Sequence, residues 1–113
     1  MIPYSTQTIE YDDLEDVRDV LPSPFLTCGP KITEFEDKVC TYTGANFAVG
    51  VNSCTSALHL AMIALGVSKG DRVFVSAISF VASSNCARYQ GADVDFIDVD
   101  KFTGNLDVDS LEQ

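Results

Sequence analysis

Phe47-Ala48-Val49-Gly50-Val51-Asn52-Ser53-Cys54-Thr55-Ser56-Ala57-Leu58-His59-Leu60-Ala61-Met62-Ile63-Ala64-Leu65 is the stretch that decides the fold of this chain. Its first five residues are an apolar run of strand length. Asn52-Ser53 breaks the run. From Ser56 to Leu65 the residues are apolar almost all round, the mark of a buried helix in a complete fold, although three strands alone leave some of its sides uncovered. A strand that passes straight into such a helix is the opening of a βαβ unit.

Downstream, the alternation continues. Gly66 stops the apolar helix, and Val67-Ser68-Lys69-Gly70-Asp71 reads as a turn. Val73-Phe74-Val75 is a second buried strand. Phe80 to Tyr89 is helical again, with Gly91 closing it. Val94-Asp95-Phe96-Ile97-Asp98-Val99 is the third strand, and a last helix begins near Asp109-Ser110. Near-continuous apolar strands belong to parallel sheets covered on both faces. Three parallel strands are therefore expected, at about 47–51, 72–76 and 94–98. The first either closes directly onto the second, or stays apart and pairs with another chain.

Upstream, two helices are expected. Asp12 to Leu21 carries acids in its first turn, where the helix dipole favours them, and Leu14, Val17 and Leu21 recur at helical spacing. Pro22 and Pro24 end it. Ile32, Phe35, Val39 and Tyr42 mark the second helix, with Gly44 as its stop. The order α-α-β-α-β-α-β predicts an α/β fold: a three-layer αβα arrangement about a parallel sheet.

The 113 residues fit one domain or a piece of a larger one. A hydrophobic fraction of 46% excludes a disordered acidic tail. The formal net charge of −10 argues against nucleic acid or an anionic membrane as partner, since both need clustered Lys and Arg. The acidity is uneven, however. Residues 21–90 hold four acids against five bases, so the centre of the chain does not repel anions. The longest apolar stretch is interrupted by His59 and falls short of the ~20 residues a membrane helix needs. Met1-Ile2-Pro3-Tyr4 shows neither the basic region nor the apolar run of a secretory leader, so a cytoplasmic location is expected. Cys28, Cys40, Cys54 and Cys86 form no C-x-x-C pair, and His59 is the only histidine. No metal site is expected, and reduced thiols are.

Three places could carry chemistry. Ligands of open α/β sheets bind beyond the carboxyl ends of the strands. There, Ser53-Cys54-Thr55-Ser56 opens a helix with no Asp or Glu in its first turn, leaving a positive terminus suited to phosphate. A Ser N-cap serving helix stability alone is the simpler alternative. The turn has neither G-x-G-x-x-G nor G-x-x-x-x-G-K-[ST], which excludes the dinucleotide and P-loop fingerprints. After the second strand, Phe80 could lie against an aromatic ligand ring, although on local grounds a core or staple residue is the expected role. Asp98 and Asp100 could bind magnesium, but a solvated strand end fits them better. His59 is expected to be a packed or interface residue.

Taken together, Ile2-Pro3-Tyr4, Phe25-Leu26-Thr27-Cys28-Gly29-Pro30 with Phe35-Glu36, Asn52 to Leu60, Ile78-Ser79-Phe80-Val81-Ala82 with Asn85, and Asp98-Val99-Asp100 with Thr103-Gly104-Asn105 resemble the N-terminal part of DegT/DnrJ/StrS-type sugar aminotransferases. The resemblance is greatest to 4-aminotransferases of UDP-4-keto-6-deoxy-N-acetylhexosamines, as in pseudaminic acid synthesis. It implies the large domain of fold-type-I enzymes using pyridoxal phosphate, with residues 1–30 as N-terminal arm and helix and 31–113 as the first βαβαβ portion. It implies that Ser53, Cys54 and Thr55 hold the cofactor phosphate and that Phe80 stacks over the pyridine ring. Cys54 stands where relatives usually have Ala or Gly, which leaves the backbone N–H unaffected. Tyr4 and the segment Pro24, Phe25, Leu26 and Thr27 are implied to line the nucleotide-sugar site near the partner subunit of a homodimer. No catalytic residue is assignable here, because the family's cofactor-bearing lysine and the acid paired with the pyridine nitrogen fall after residue 113. The chain therefore reads as an N-terminal fragment of an enzyme that moves an amino group from an amino acid such as glutamate to a UDP-4-keto-6-deoxy sugar, inactive by itself and with cofactor binding expected to be weak or absent. Two alternatives are a flavodoxin- or receiver-like binding module and a non-catalytic association fragment. A receiver needs an acidic pair after its first strand, and this chain has Asn52-Ser53 there.

Overall fold

The structure, a computed structural model, describes residues 2–3 and 5–111. Its elements are α1 (Tyr11–Val20), α2 (Pro30–Thr43), α3 (Cys54–Ala64), β1 (Arg72–Ser76), α4 (Ala82–Tyr89), β2 (Asp93–Ile97) and α5 (Val108–Leu111). The chain divides into two compact units, Met1–Gly50 and Val51–Gln113. This division differs from the expected one at residues 30 and 31, which concerns the large domain of a complete enzyme.

In the first unit, α1 opens with the Glu10 N–H donating to the Asp13 carboxylate at 2.9 Å, which satisfies one donor of the helix start. Pro30 begins α2, where its fixed φ and missing N–H cost nothing. Val17, Val20, Leu21, Leu26 and Phe35 line a groove of about 440 Å³ between the two helices. Along its rim Lys31 and Lys38 reach the Glu34 carboxylate at 2.9 and 3.0 Å. These hydrogen bonds, led by that from Lys31, draw the Glu34 carboxyl down to about 2.

In the second unit, β1 and β2 pair in parallel from Arg72 opposite Asp93 to Ser76 opposite Ile97. The link between them contains α4, which packs on both strands and on α3. The core is small and lies along α4: Val75, Ala82, Cys86, Ala87 and Ala92. Small side chains there let helix and strands approach closely. Arg72 and Asp95 pair across the strands at 3.1 Å. The Leu65 N–H returns to the Ala61 carbonyl and the Val67 N–H to that of Met62, and Gly66 ends α3 at φ 76°.

One expectation is corrected. Among the described residues the sheet has two strands, not three. Residues 47–51 form no regular element and pair with no strand among the described residues, with Phe47 and Val49 exposed. A strand sequence becomes a strand only beside a partner, and β1 pairs with β2. The apolar helix α3 has uncovered sides, as expected of so few strands: Leu60 is 48% and Ile63 50% exposed. Its surface exceeds what one neighbouring helix can cover.

Candidate functional site

Ser53 adopts an extended backbone, φ −162° and ψ 154°, and caps α3 by accepting from the Ser56 N–H at 3.2 Å. Its carbonyl accepts from the Ala57 N–H at 3.1 Å. Ser56 Oγ donates to Asn52 Oδ1 at 2.7 Å and lies 2.9 Å from Ser53 Oγ. Asn52, Ser53 and Ser56 therefore brace one another across the helix start. The backbone N–H groups of Cys54 and Thr55 are the donors left over, with no partner among the described residues. No acid occupies this first turn. Asn52, Ser53 and Cys54 are exposed, so the turn opens to solvent. The donor set is two free N–H groups at the positive end of a helix dipole, flanked by hydroxyls, which is the chemistry a phosphate requires.

Phe80 lies in the turn between β1 and α4, two residues before the helix. It is 75% exposed, which excludes the core role expected on local grounds. The Phe80 carbonyl accepts from the Ser83 N–H at 2.9 Å, and Ser79 Oγ and Ser83 Oγ are 2.7 Å apart. The ring is left free while the backbone beneath it is fixed. Ser53, Cys54, Thr55 and Phe80 thus all belong to the second unit, at the starts of two helices packed together.

The other predicted site residues fall in the first unit. Pro24 to Thr27 form an irregular loop, in which the Phe25 N–H donates to Ser23 Oγ at 3.3 Å. Phe25 and Leu26 are exposed, and Leu26 lines the groove between α1 and α2. Gly29 holds the loop's far end. A Cβ there would meet the Phe25 Cβ and carbonyl oxygen at 2.9 Å. Tyr4 lies outside the described residues. Asp100 accepts from the Thr103 N–H at 2.8 Å and from its hydroxyl at 2.9 Å. These bonds, the Thr103 backbone first, lower its carboxyl below the ordinary value. It is a turn former, and among the described residues no group of His, Cys, Asp and Glu could hold a metal ion. All four cysteines are free thiols.

Two relationships were not legible from the sequence. The Gly50 N–H donates to Glu36 Oε1 at 2.7 Å, tying the segment that ends at Gly50 to α2. His59, on α3, sits 2.6 Å from the Gln90 side-chain nitrogen through Nε2 and meets the Tyr89 ring edge-on at 5.2 Å. Both bridge positions distant in sequence, where periodicity carries no signal.

The chain is 44% identical over 112 residues to the UDP-4-amino-4,6-dideoxy-N-acetyl-beta-L-altrosamine transaminase of Campylobacter jejuni, covering 99% of this chain and 29% of that protein. It is 40% identical over 111 residues to the spore coat polysaccharide biosynthesis protein SpsC of Bacillus subtilis, covering 98% of this chain and 28% of the relative. Among solved structures it superposes on the PLP form of Spr1654 from Streptococcus pneumoniae, assigned as a sugar aminotransferase, with a TM-score of 0.91 and 37% identity. That match covers 99% of this chain and 29% of the other. The chain thus spans less than a third of the length of these relatives. Residues 7–113 match one family throughout. With the parallel βαβ unit and the acid-free start of α3, that match shows that the chain belongs to the DegT/DnrJ/EryC1/StrS aminotransferase family.

Proposed function

We propose that this chain is the N-terminal part of a pyridoxal-phosphate-dependent nucleotide-sugar aminotransferase. The whole enzyme would move an amino group from an amino acid such as glutamate to a UDP-4-keto-6-deoxy sugar. The observation that carries the proposal is the pair of unpartnered N–H groups of Cys54 and Thr55 at a helix start free of acids. The donor set fits the cofactor's phosphate. Cys54 and Thr55 would hold it through their N–H groups, with the hydroxyls of Ser53 and Thr55 alongside. The Asn52–Ser53–Ser56 brace keeps these donors aimed before any ligand arrives, which lowers the entropy cost of binding. Phe80 would lie against the pyridine ring, where an aromatic face contributes about 0.5–1.5 kcal/mol beyond area burial. When bound, pyridoxal phosphate supplies the electron sink for chemistry at the amino-bearing carbon. The exposed loop Pro24–Thr27 and Tyr4 would line the sugar site.

A homodimer is the assembly we favour, supported by the exposed apolar side of α3. Four free thiols support a reducing, cytoplasmic setting, and no described helix is long and apolar enough to cross a membrane.

Titration of the chain with pyridoxal 5′-phosphate, followed by amide NMR, tests the site. Shifts at Cys54, Thr55 and Phe80 are expected. Shifts confined to the lysines would overturn it. By itself the chain should give no turnover of glutamate and a UDP-4-keto-6-deoxy sugar above the free-cofactor rate. Turnover would refute the view that catalysis needs further chain.

A further inference from the structure

α3 begins at the turn offering the phosphate donors, and α4 begins two residues after Phe80. How the two helices sit against each other sets how far the ring-facing aromatic stands from the phosphate donors. The covered side chains of the two helices are mostly apolar or small: Leu58 and Met62 are half-buried on α3, and Ala82, Ser84, Cys86 and Ala87 are buried on α4. Hydrophobic contact is not directional, so it leaves sliding and rotation weakly specified. Among the described residues one side-chain hydrogen bond joins the two structures, between His59 of α3 and Gln90 at the C-cap of α4, at 2.6 Å. The same imidazole presses edge-on against Tyr89 at 5.2 Å, with planes 64° apart. His59 stands six residues past Ser53, about 9 Å along the helix. Tyr89 and Gln90 stand at the far end of α4 from Phe80. The contact therefore acts as a clasp at a distance from both proposed ligand-facing turns.

We propose that His59 is a positioning residue, whose clasp on Tyr89 and Gln90 fixes the register of α3 against α4 and so the spacing between the Cys54–Thr55 donors and Phe80. The proposal rests on the cofactor reading above. It predicts a separation of effects. The phosphate donors are organised locally by Asn52, Ser53 and Ser56, without His59. Inorganic phosphate alone should not sense the clasp. A ligand carrying both phosphate and pyridine ring should.

The test uses the 113-residue chain, its His59→Ala and Gln90→Met variants, and Gln90→Glu, which keeps a partner for the imidazole. Each is titrated with inorganic phosphate and with pyridoxine 5′-phosphate, whose alcohol in place of the aldehyde cannot react with lysines. The readout is the shift of the Cys54, Thr55 and Phe80 amides. In the wild-type chain pyridoxine phosphate should bind more tightly than phosphate. In His59→Ala and Gln90→Met that advantage should fall by up to about tenfold, the scale of one lost hydrogen bond. Phosphate binding should stay unchanged, and Gln90→Glu should retain the advantage. Unchanged pyridoxine phosphate binding in both loss variants overturns the clasp while sparing the cofactor reading. Equal weakening for both ligands reduces His59 to a folding residue and also overturns it. If the wild-type chain binds neither ligand at Cys54 and Thr55, or both equally, the cofactor reading itself fails and the clasp with it. Should His59→Ala not fold, Gln90→Met, which leaves α3 unaltered, decides alone.

Discussion

Glu36 Oε1 accepts the Gly50 N–H at 2.7 Å, and this bond holds the last residue of the first unit against the helix that precedes it. The carboxylate is half-buried and does for Gly50 what a neighbouring strand would do in a sheet: it satisfies a backbone donor. A Cβ on Gly50 would meet Ile32 at an ordinary 3.5 Å, so the position is close but not sealed.

Glu36→Ala should therefore destabilise the first unit by about 1 kcal/mol, the worth of a charge-assisted bond to a backbone donor with partial solvent access. Glu36→Gln, which keeps an acceptor, should cost less. Hydrogen exchange at the Gly50 amide checks this directly, since the alanine variant should lose protection there while the glutamine variant keeps most of it.

Glu34 offers a titration with a defined sign. Its carboxyl is held down to about 2 by Lys31 and Lys38, below its ordinary 4.5. A carboxyl lowered in the folded state contributes stability above its unfolded value, and that contribution fades as pH falls through about 2. The pair is solvent-exposed, so its net worth is small. NMR titration of the Glu34 side-chain carbon should show a midpoint near 2, moving up in Lys31→Ala. A midpoint at the ordinary value in the unmodified chain would mean that the two lysines do not hold the carboxylate in solution.

At the start of α3, side chain and backbone separate cleanly. Ser53→Ala removes the N-cap acceptor and should lower stability by about 1 kcal/mol, with fraying of the first turn of α3. It should also weaken phosphate binding by loosening the brace. Cys54→Ala leaves both free N–H groups in place and should change neither. Thermal melts and phosphate titration of the two variants, side by side, give the comparison.

Gly29 is set by close approach. With the Phe25 backbone oxygen 2.9 Å from where a Cβ would stand, Gly29→Ala must displace the Phe25–Cys28 loop. A loss of about 1–3 kcal/mol is expected, the usual cost of overpacking. Amide shifts should spread over Phe25, Leu26 and Thr27 while those of α4 and the sheet stay in place.

Much of the element order was legible because its punctuation is local. Gly44, Gly66 and Gly91 end α2, α3 and the α4 segment where expected, and observed ends differ from predicted ones by a residue or two. The acid-free start of α3 was legible too, since it needs only the residues from Ser53 to Ser56. Pairing was not. Phe47 to Val51 reads like Val73 to Val75, yet only the latter finds a neighbour, because strand pairing depends on residues far away in sequence. All-round apolarity of α3 likewise reports what a helix prefers, not what is there to cover it. His59 and Gln90, 31 positions apart, fit no period. Phe80 was misjudged locally as a core residue, since composition cannot tell an aromatic that packs from one left exposed.

The two-stranded sheet also has consequences for handling the protein. Among the described residues each strand has one free edge, and the edges are unequal in their defences. Along β2, Asp93 and Asp95 set like charges opposite any second copy of the same strand, which acts as a gatekeeper against stacking. β1 has a single charge at Arg72, followed by Val73, Phe74 and Val75 with none. Uncontrolled growth by strand addition therefore starts at β1, and a charge placed at the half-exposed Phe74 would raise solubility with little loss of the small core along α4.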